Sequence, residues 1–562
     1  MIRAIWVLAL LVAPGFSSTT LAGEAAHGFV LAVPDRGFLG NEQARRVFDK
    51  LSERHPARLL FVTDDRTGDM LASDVEDLRK QVSAVTVLPL FLSEGSPAFD
   101  TLEVVMAGLK ADTVDRGRVF GRSYLAVEVL ADRLRNVRSP ADKHLVVAGY
   151  GAGDKASCGA MREGLARLAR QAARGFGFAS VTAEVWPAHG KAGDTRCAGA
   201  TVRGLRQGPE PKVLAPFHLG PKYDSRMNVT ASWQRRMGDK GRVLSGLLPH
   251  DAVATWALRE ANRHLPLAAD DIGVLFHAHG ADYHWNERMR RAAAGLAEDY
   301  RLDFAFSMAD QRTIEPAVER LEAKGARLIL LVRVFGRETS FRDTIRRMLG
   351  RDIEGTGGVA AAGGMVGHGG SSGPPPKRIR TTAQALTVGG LGAHPLFARA
   401  LLDRAQAHSS DPERESVILV AHGVGQDKAN KAWLETLERL AERMRAHGGD
   451  AFRHIRVATW REDWSEKRQA AVGRVRELVR QAAADGGRAI VVPARTTGTG
   501  HAEEFLKGLE LELGKGFVPH PLFEDWLREQ VAAGLETYRE ALGGRLTSAL
   551  RKAAKAAQGS GR

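Results

Sequence analysis

One supersecondary unit occurs four times along this chain, and that repetition limits its fold more than any other feature. Each time, an apolar strand leads into a loop of small residues and then a helix. The opening strands are GFVLAV from Gly28, HLVVAG from His144, IGVLFHAH from Ile272 and SVILVAH from Ser416. The second and fourth copies stay alike beyond the strand: VVAGYGAGDKAS (Val146 to Ser157) matches LVAHGVGQDKAN (Leu419 to Asn430). Each copy continues through a second strand and helix to a third strand. The third strands read TVLPLFLSEGSP, KVLAPFHLGPKYD, LILLVRVFGRETS and IVVPARTTGTGH. A short strand and a helix such as GAHPLFARALL (from Gly392) or VPHPLFEDWL (from Val518) close the unit. Parallel neighbours need a crossover, and the crossover helices cover the sheet, so this alternation predicts βαβ units on a parallel sheet. The predicted fold class is α/β, with four repeated doubly wound parallel-sheet domains of about 120 residues each.

A chain of 562 residues exceeds what one hydrophobic core supports, which agrees with several domains. The predicted units span 23–140, 141–268, 269–410 and 411–545. Residues 355–376 form a Gly-rich insertion inside the third unit, expected to be disordered or a mobile loop, and KRIR follows it. Residues 546–562 are a basic tail, expected to be a solvated terminal helix. Residues 1–22 have a basic start, a short apolar stretch broken by Pro14 and Gly15, and a small-residue end at Ala22. That is the pattern of a secretory signal, and it predicts a periplasmic or secreted protein without stable membrane insertion after cleavage.

The net charge of +14 suits nucleic acid, anionic lipid or an acidic small molecule alike. No zinc-finger, RNP or heptad pattern is present, so nucleic acid is not the expected partner. The two cysteines, Cys158 and Cys197, are not in a CxxC pair, which excludes a zinc ribbon. In the repeat each lies near the start of a helix at the carboxyl edge of the second sheet. One intramolecular disulfide is therefore expected, with two buried thiols as the alternative.

His422 and His501 carry the chemistry. Each follows an apolar strand of the fourth unit, and strand ends at the carboxyl edge of an open α/β sheet are where ligands collect. Neutral imidazole suits Co²⁺, Ni²⁺, Fe²⁺ and Zn²⁺. The alternative is two ordinary strand-end histidines. Gly423, Gly425, Gly498 and Gly500 also fit a phosphate cradle, but neither GxGxxG nor GxxxxGK[ST] occurs. An α/β-hydrolase reading lacks a GxSxG elbow. In the third unit, His279 has His277 and His284 beside it, a set that suits a metal or a polar loop equally. His250, His394 and His520 precede the closing helices and are assigned to those turns. His368 stands alone in the Gly-rich insertion.

With these motifs in hand, the chain resembles the CbiX-type sirohydrochlorin cobaltochelatases of the class II chelatase superfamily. That family's first strand ends in V-x-H-G near a downstream Asn, and its third strand reads like LPLFLxxGxHxxxD. LPLFLSEGSPAFD (Leu88 to Asp100), VLFHAHGADYHWNE (Val274 to Glu287) and LVAHGVGQDKAN carry the likeness. The first-strand histidine corresponds to His279 and His422, with Pro34 and Gly149 in units one and two. The third-strand histidine corresponds to His501 alone, with Pro97, Asp224 and Ser340 elsewhere. The family's acid corresponds to Glu462 or Asp463 in unit four. Unit three has Met308 at that place, with Asp310 two residues on. The resemblance implies two bilobal modules, the second keeping three of its four histidines. It implies insertion of a divalent metal, cobalt first, into an anionic tetrapyrrole. His422, His501 and His279 would be the metal ligands, Glu462 or Asp463 the base, and no organic cofactor is required. The alternative is an exported, non-enzymatic metal or tetrapyrrole carrier on the same fold.

Overall fold

The computed structural model describes residues 27–559, except residues 64–65, 110–113, 153, 188–210, 220–222, 225–226, 229–233, 236 and 355–374. The expected export segment 1–22, Cys197, His368 and nearly all of the Gly-rich insertion lie outside the described residues.

Four separate four-stranded sheets carry the chain. The first holds β1 (His27–Pro34), β2 (Ala57–Val62), β3 (Ala84–Pro89) and β4 (Val114–Arg116). In the second are β5 (His144–Ala152), β6 (Ser180–Pro187), β7 (Lys212–Pro216) and β10 (Gly241–Val243). A two-stranded antiparallel pair, β8 (Tyr223–Asp224) and β9 (Met227–Asn228), intervenes. The third sheet comprises β11 (Ile272–Ala278), β12 (Arg301–Phe306), β13 (Leu328–Val334) and β14 (Gln384–Gly389). The fourth comprises β15 (Glu415–Ala421), β16 (His454–Thr459), β17 (Arg488–Pro493) and β18 (Glu512–Leu513). In every sheet the order is second, first, third, fourth strand, and every pairing is parallel. The predicted α/β class with a repeated doubly wound sheet is therefore what the chain forms.

The apolar strands are buried on both faces, as parallel sheets require. Along β1, Phe29, Leu31 and Val33 enter one cluster, while Val30 and Ala32 enter another. The first of these clusters is continuous with residues of the second unit, including Leu145 and Val147 of its sheet and Trp256 of its closing helix. A second shared cluster joins Phe276 and Leu330 of the third sheet to Leu419 and Trp526 of the fourth unit. Each pair of sheets thus shares one core, giving two bilobal modules. Separate clusters cover the outer faces of the first, third and fourth sheets.

Charged residues dock the modules. The KRIR run turns back onto the helix Tyr124–Leu134 of the first unit. Arg378 reaches Glu128 at 2.8 Å and Asp352 at 2.9 Å, Lys377 reaches Asp132 at 3.5 Å, and Arg380 also pairs with Asp132. Tyr124 donates its hydroxyl to the Ile379 carbonyl at 2.8 Å. The basic tail departs from the expectation of a solvated helix. Leu546 and Leu550 are buried in the second module's core, and a bridge joins Leu546 to Leu267. On the helix Ser548–Gly559, Leu550 and Ala554 lie four residues apart on one face and both pack on that core. Cys158 is disulfide-bonded, while its expected partner Cys197 lies outside the described residues. Among the described residues no helix is long and apolar enough to cross a membrane.

Candidate active site at the carboxyl edge of the fourth sheet

Register decides what meets at this edge. β15 pairs with β16 up to Ala421↔Thr459 and with β17 up to Val420↔Pro493. The chain therefore emerges side by side at His422, Trp460 and Ala494. His422 follows the last residue of β15, and Gly423 turns the chain with φ of 84°. A Cβ on Gly423 would lie 2.7 Å from the Arg461 nitrogen, so glycine is needed for the two loops to touch. Arg461 itself holds a left-handed φ of 53°. Its guanidinium donates to the Val424 carbonyl at 3.0 Å and pairs with Asp427 at 2.7 Å. Buried Asn430 closes the loop from the other side: its Oδ1 accepts from Val424 N and from Thr459 Oγ1, both at 3.2 Å. Of the glycine loop expected to suit a phosphate, the Val424 amide is thus committed within the protein.

This framework aims the His422 ring. Its Nδ1 lies 2.9 Å from the Gly423 carbonyl. A carbonyl only accepts, so Nδ1 carries the proton. Nε2 points to two carboxylates, Asp463 Oδ2 at 3.2 Å and Glu462 Oε2 at 3.7 Å. Carboxylates in their charged form also only accept. A positive centre belongs between them and Nε2: the second proton of an imidazolium, or a cation. Glu462 is buried (side chain 7% exposed) and Asp463 is open (68%). Trp464 meets the His422 ring edge-on at 6.0 Å.

Arg495, two residues beyond β17, donates to Glu462 Oε1 at 3.4 Å. It holds the buried carboxylate from the side opposite His422. Gly500 lies against the same guanidinium: a Cβ there would fall 1.5 Å from Arg495 Nη1. His501 follows directly. Its ring stacks on Phe505 at 5.4 Å, and Phe505 in turn meets buried Trp460 at 5.3 Å. Its Nδ1 faces Glu504 at 3.3 Å, and the side chain is 58% exposed.

The structure thus brings His422, Glu462 and Asp463 into direct contact, and places His501 one step away across Arg495. Among the described residues no hydrogen bond, ion pair or ring contact joins His422 to His501. Among the described residues no three His, Cys, Asp or Glu side chains form a ready-made metal cage, so the three-histidine set does not gather as a single cluster.

His279 repeats the His422 turn: its Nδ1 is 2.5 Å from the Gly280 carbonyl, and Ala281 N donates to Asn286 Oδ1 at 3.1 Å. The acid is absent there. Met308 is exposed, and Asp310 caps a helix and pairs with Arg312 at 2.6 Å. His277, on β11, is fully buried with Nδ1 on the Ala305 carbonyl at 2.9 Å, and burial pushes its pKa down to about 4. It is a neutral core histidine, separated from the exposed His279 because the strand carries one inward before the other leaves the sheet. His250, His394 and His520 each accept a backbone N–H at the start of a closing helix, at 3.2, 3.3 and 3.3 Å. Arg461 and Arg495 escape sequence reasoning as site residues, whereas Asn430 enters it as the Asn downstream of the His-Gly turn. In a chain this basic an arginine carries no signal, and only the sheet register shows that Arg495 reaches Glu462.

No protein-family model and no curated protein matches the chain. Among solved structures, DR2241 of Deinococcus radiodurans aligns with 20% identity and a TM-score of 0.31. It is described as a multi-domain protein structurally similar to chelatases, with two additional novel domains. The alignment covers 47% of this chain and 55% of that one. The chain therefore spans about half the length of that structure, and the functional reading rests on the site's own geometry.

Proposed function

We propose that the second module binds a divalent metal ion at His422 and inserts it into an anionic tetrapyrrole of the sirohydrochlorin type. The observation that carries this reading is the His422 ring, with Nδ1 tied to Gly423 and Nε2 aimed at Glu462 and Asp463. Insertion exchanges one divalent ion for two pyrrole protons. An imidazole nitrogen of fixed tautomer is a ligand for the incoming ion. Two carboxylates of unequal exposure are acceptors for the two protons. Arg495 keeps Glu462 in place when its partner changes. Exposed Tyr283 and Met308 at the third sheet's carboxyl edge offer apolar surface to a flat macrocycle. Arg288 brings that edge to the fourth unit through Thr497 at 3.5 Å.

The turned-away His501, engaged with Glu504 and Phe505, supports a second reading: a carrier that binds the metal or the tetrapyrrole without joining them. Both readings are tested by mixing the protein with sirohydrochlorin and Co²⁺ and following absorbance against a protein-free control. Faster insertion that is lost in His422→Ala/His501→Ala supports the chelatase. Saturable binding without acceleration supports the carrier. Cobalt binding unchanged in the double variant refutes the site.

A further inference from the structure

The two modules meet around a cavity of about 270 Å³ that the reaction proposed above does not use. Four arginines, Arg118, Arg122, Arg259 and Arg263, and two glutamates, Glu260 and Glu354, line it. Arg118 and Arg122 come from the loop after β4. Arg259, Glu260 and Arg263 lie on the helix Asp251–His264 that closes the second unit. Glu354 lies in the third unit. The fourth unit takes part through the Leu542 carbonyl, which accepts from Arg118 at 3.2 Å and Arg263 at 3.4 Å.

Both glutamates are already satisfied. Glu260 Oε1 accepts from the Arg118 amide at 2.6 Å and from Arg263 Nε at 3.1 Å, and it also binds Arg263 Nη2. Its carboxyl is held down to about 2 against the effect of burial, by His264 and Arg263. Glu354 accepts from Ser123 at 3.0 Å and Tyr124 N at 3.3 Å through one oxygen, and from Arg259 and Arg351 at 3.4 and 3.3 Å through the other. Glu94, outside the cavity wall, offsets Arg122. Buried Arg351, behind Glu354, restores that positive charge. Burial pulls the Arg351 guanidinium down to about 10, with Arg259 and Arg118 acting the same way against Glu354. The junction holds a surplus of guanidinium groups over carboxylates among the described residues. Arg118 has one side-chain hydrogen bond and further donors to offer, and both Arg118 and Arg122 are solvent-accessible at the mouth. Arginine's planar fork suits phosphate and carboxylate oxygens, which it binds through paired N–H groups.

We infer that this inter-module cavity is a binding site for a compact multiply charged oxyanion, a phosphate or small dicarboxylate, which clamps the two modules together. The ligand would touch residues from both modules at once, so its binding energy would add to the stability of their docked arrangement.

The test uses the full chain and two probes, inorganic phosphate and succinate, each titrated at constant ionic strength with chloride as the control. Melting temperature and calorimetric heat are both followed. A saturable rise in melting temperature with one probe or both, absent with chloride, is expected. The probe that binds more tightly shows which source the site prefers. Arg118→Gln/Arg122→Gln, at exposed positions, should weaken binding at least tenfold and leave the circular dichroism spectrum unchanged. Arg118→Lys alone should lose less, because it keeps the charge but not the fork. His422→Ala should bind these anions as the parent does, which separates this site from the metal site. Absence of saturable binding by either probe overturns the inference, and so does equal affinity in the double glutamine variant.

Discussion

Gly423→Ala should disturb the candidate site from a position that touches neither metal nor substrate. The glycine has φ of 84°, and a Cβ would meet the Arg461 nitrogen at 2.7 Å and its Cα at 3.0 Å. Holding an L-residue in that left-handed conformation costs about 1–2 kcal/mol. Forcing backbone away from an added methyl costs about 1–3 kcal/mol more. Alanine returns up to about 1 kcal/mol by restricting the unfolded chain. The net loss should be about 2–3 kcal/mol. Gly498→Ala is the matched control: its φ is 71°, but the space a Cβ would enter is open. It should cost about 1 kcal/mol or less. The variants therefore differ by about 2 kcal/mol from the contact alone. Urea denaturation reads this as a lower midpoint at unchanged slope for Gly423→Ala. Because the methyl displaces Arg461, and with it Glu462 and Asp463, Co²⁺ affinity should fall in Gly423→Ala and hold in Gly498→Ala. Equal midpoints and equal cobalt affinities in the two variants would refute the claim that close contact between these loops builds the site.

Two more outcomes follow from burial. Arg378→Ala leaves Glu128, whose side chain is 1% exposed, facing only Arg135 at 3.9 Å. Stranding that carboxylate should cost about 3–5 kcal/mol. Limited proteolysis should then cut between the modules, and Arg378→Met/Glu128→Leu should regain resistance; an uncut single variant would argue against the ionic clamp. Stability should also fall in mild acid. His277 titrates near 6.5 when unfolded and about 4 when folded, so the folded state binds fewer protons in that interval. Its contribution is complete above pH 6.5 and declines as pH drops toward 4, by about 3 kcal/mol. His27 and His394 are lowered to about 4 by burial as well. Denaturation midpoints measured from pH 7.5 to 4.5 should drop steadily, and less so in His277→Leu; parallel profiles for the two proteins would show that His277 does not titrate as described.

The repeat made the architecture legible because each unit announces its strands as apolar runs and its crossovers as helices. The common strand order follows from that pattern once loops are short. His422 was legible because a histidine followed by glycine ends a buried strand, and Glu462 and Asp463 because they follow the strand beside it. Arg495 was not, since its role depends on β17 lying next to β15, a long-range fact that local pattern does not contain. The same reason hid the KRIR run, whose partners Glu128 and Asp132 lie in another unit. His277 and His279 look equivalent at a spacing of two. They separate because β11 ends at Ala278, leaving His277 in the sheet and His279 in the loop.

The four sheet edges differ in what their loops do, and this difference favours the fourth as the place of the proposed chemistry. In the second unit the first-strand position is Gly149, where a Cβ would meet the Leu165 side chain at 2.4 Å, so a larger residue there requires Leu165 to move. In the first it is Pro34, a residue with no ligand atom. The third edge keeps His279 and its glycine turn, yet buried Arg333 occupies the neighbouring strand. That guanidinium donates to the carbonyls of Glu338 at 2.6 Å, Ser340 at 3.0 Å and Gly389 at 2.6 Å. It fixes the loop that carries Ser340 where the fourth unit carries His501. The third edge thus uses its arginine to hold backbone. In the fourth, the corresponding arginine sits two residues later, at the mouth instead of inside the sheet, and binds a carboxylate instead of backbone. That shift sets Arg495 against Glu462, whose other oxygen stays 3.7 Å from His422 Nε2, the arrangement that the proposed proton-for-metal exchange would use.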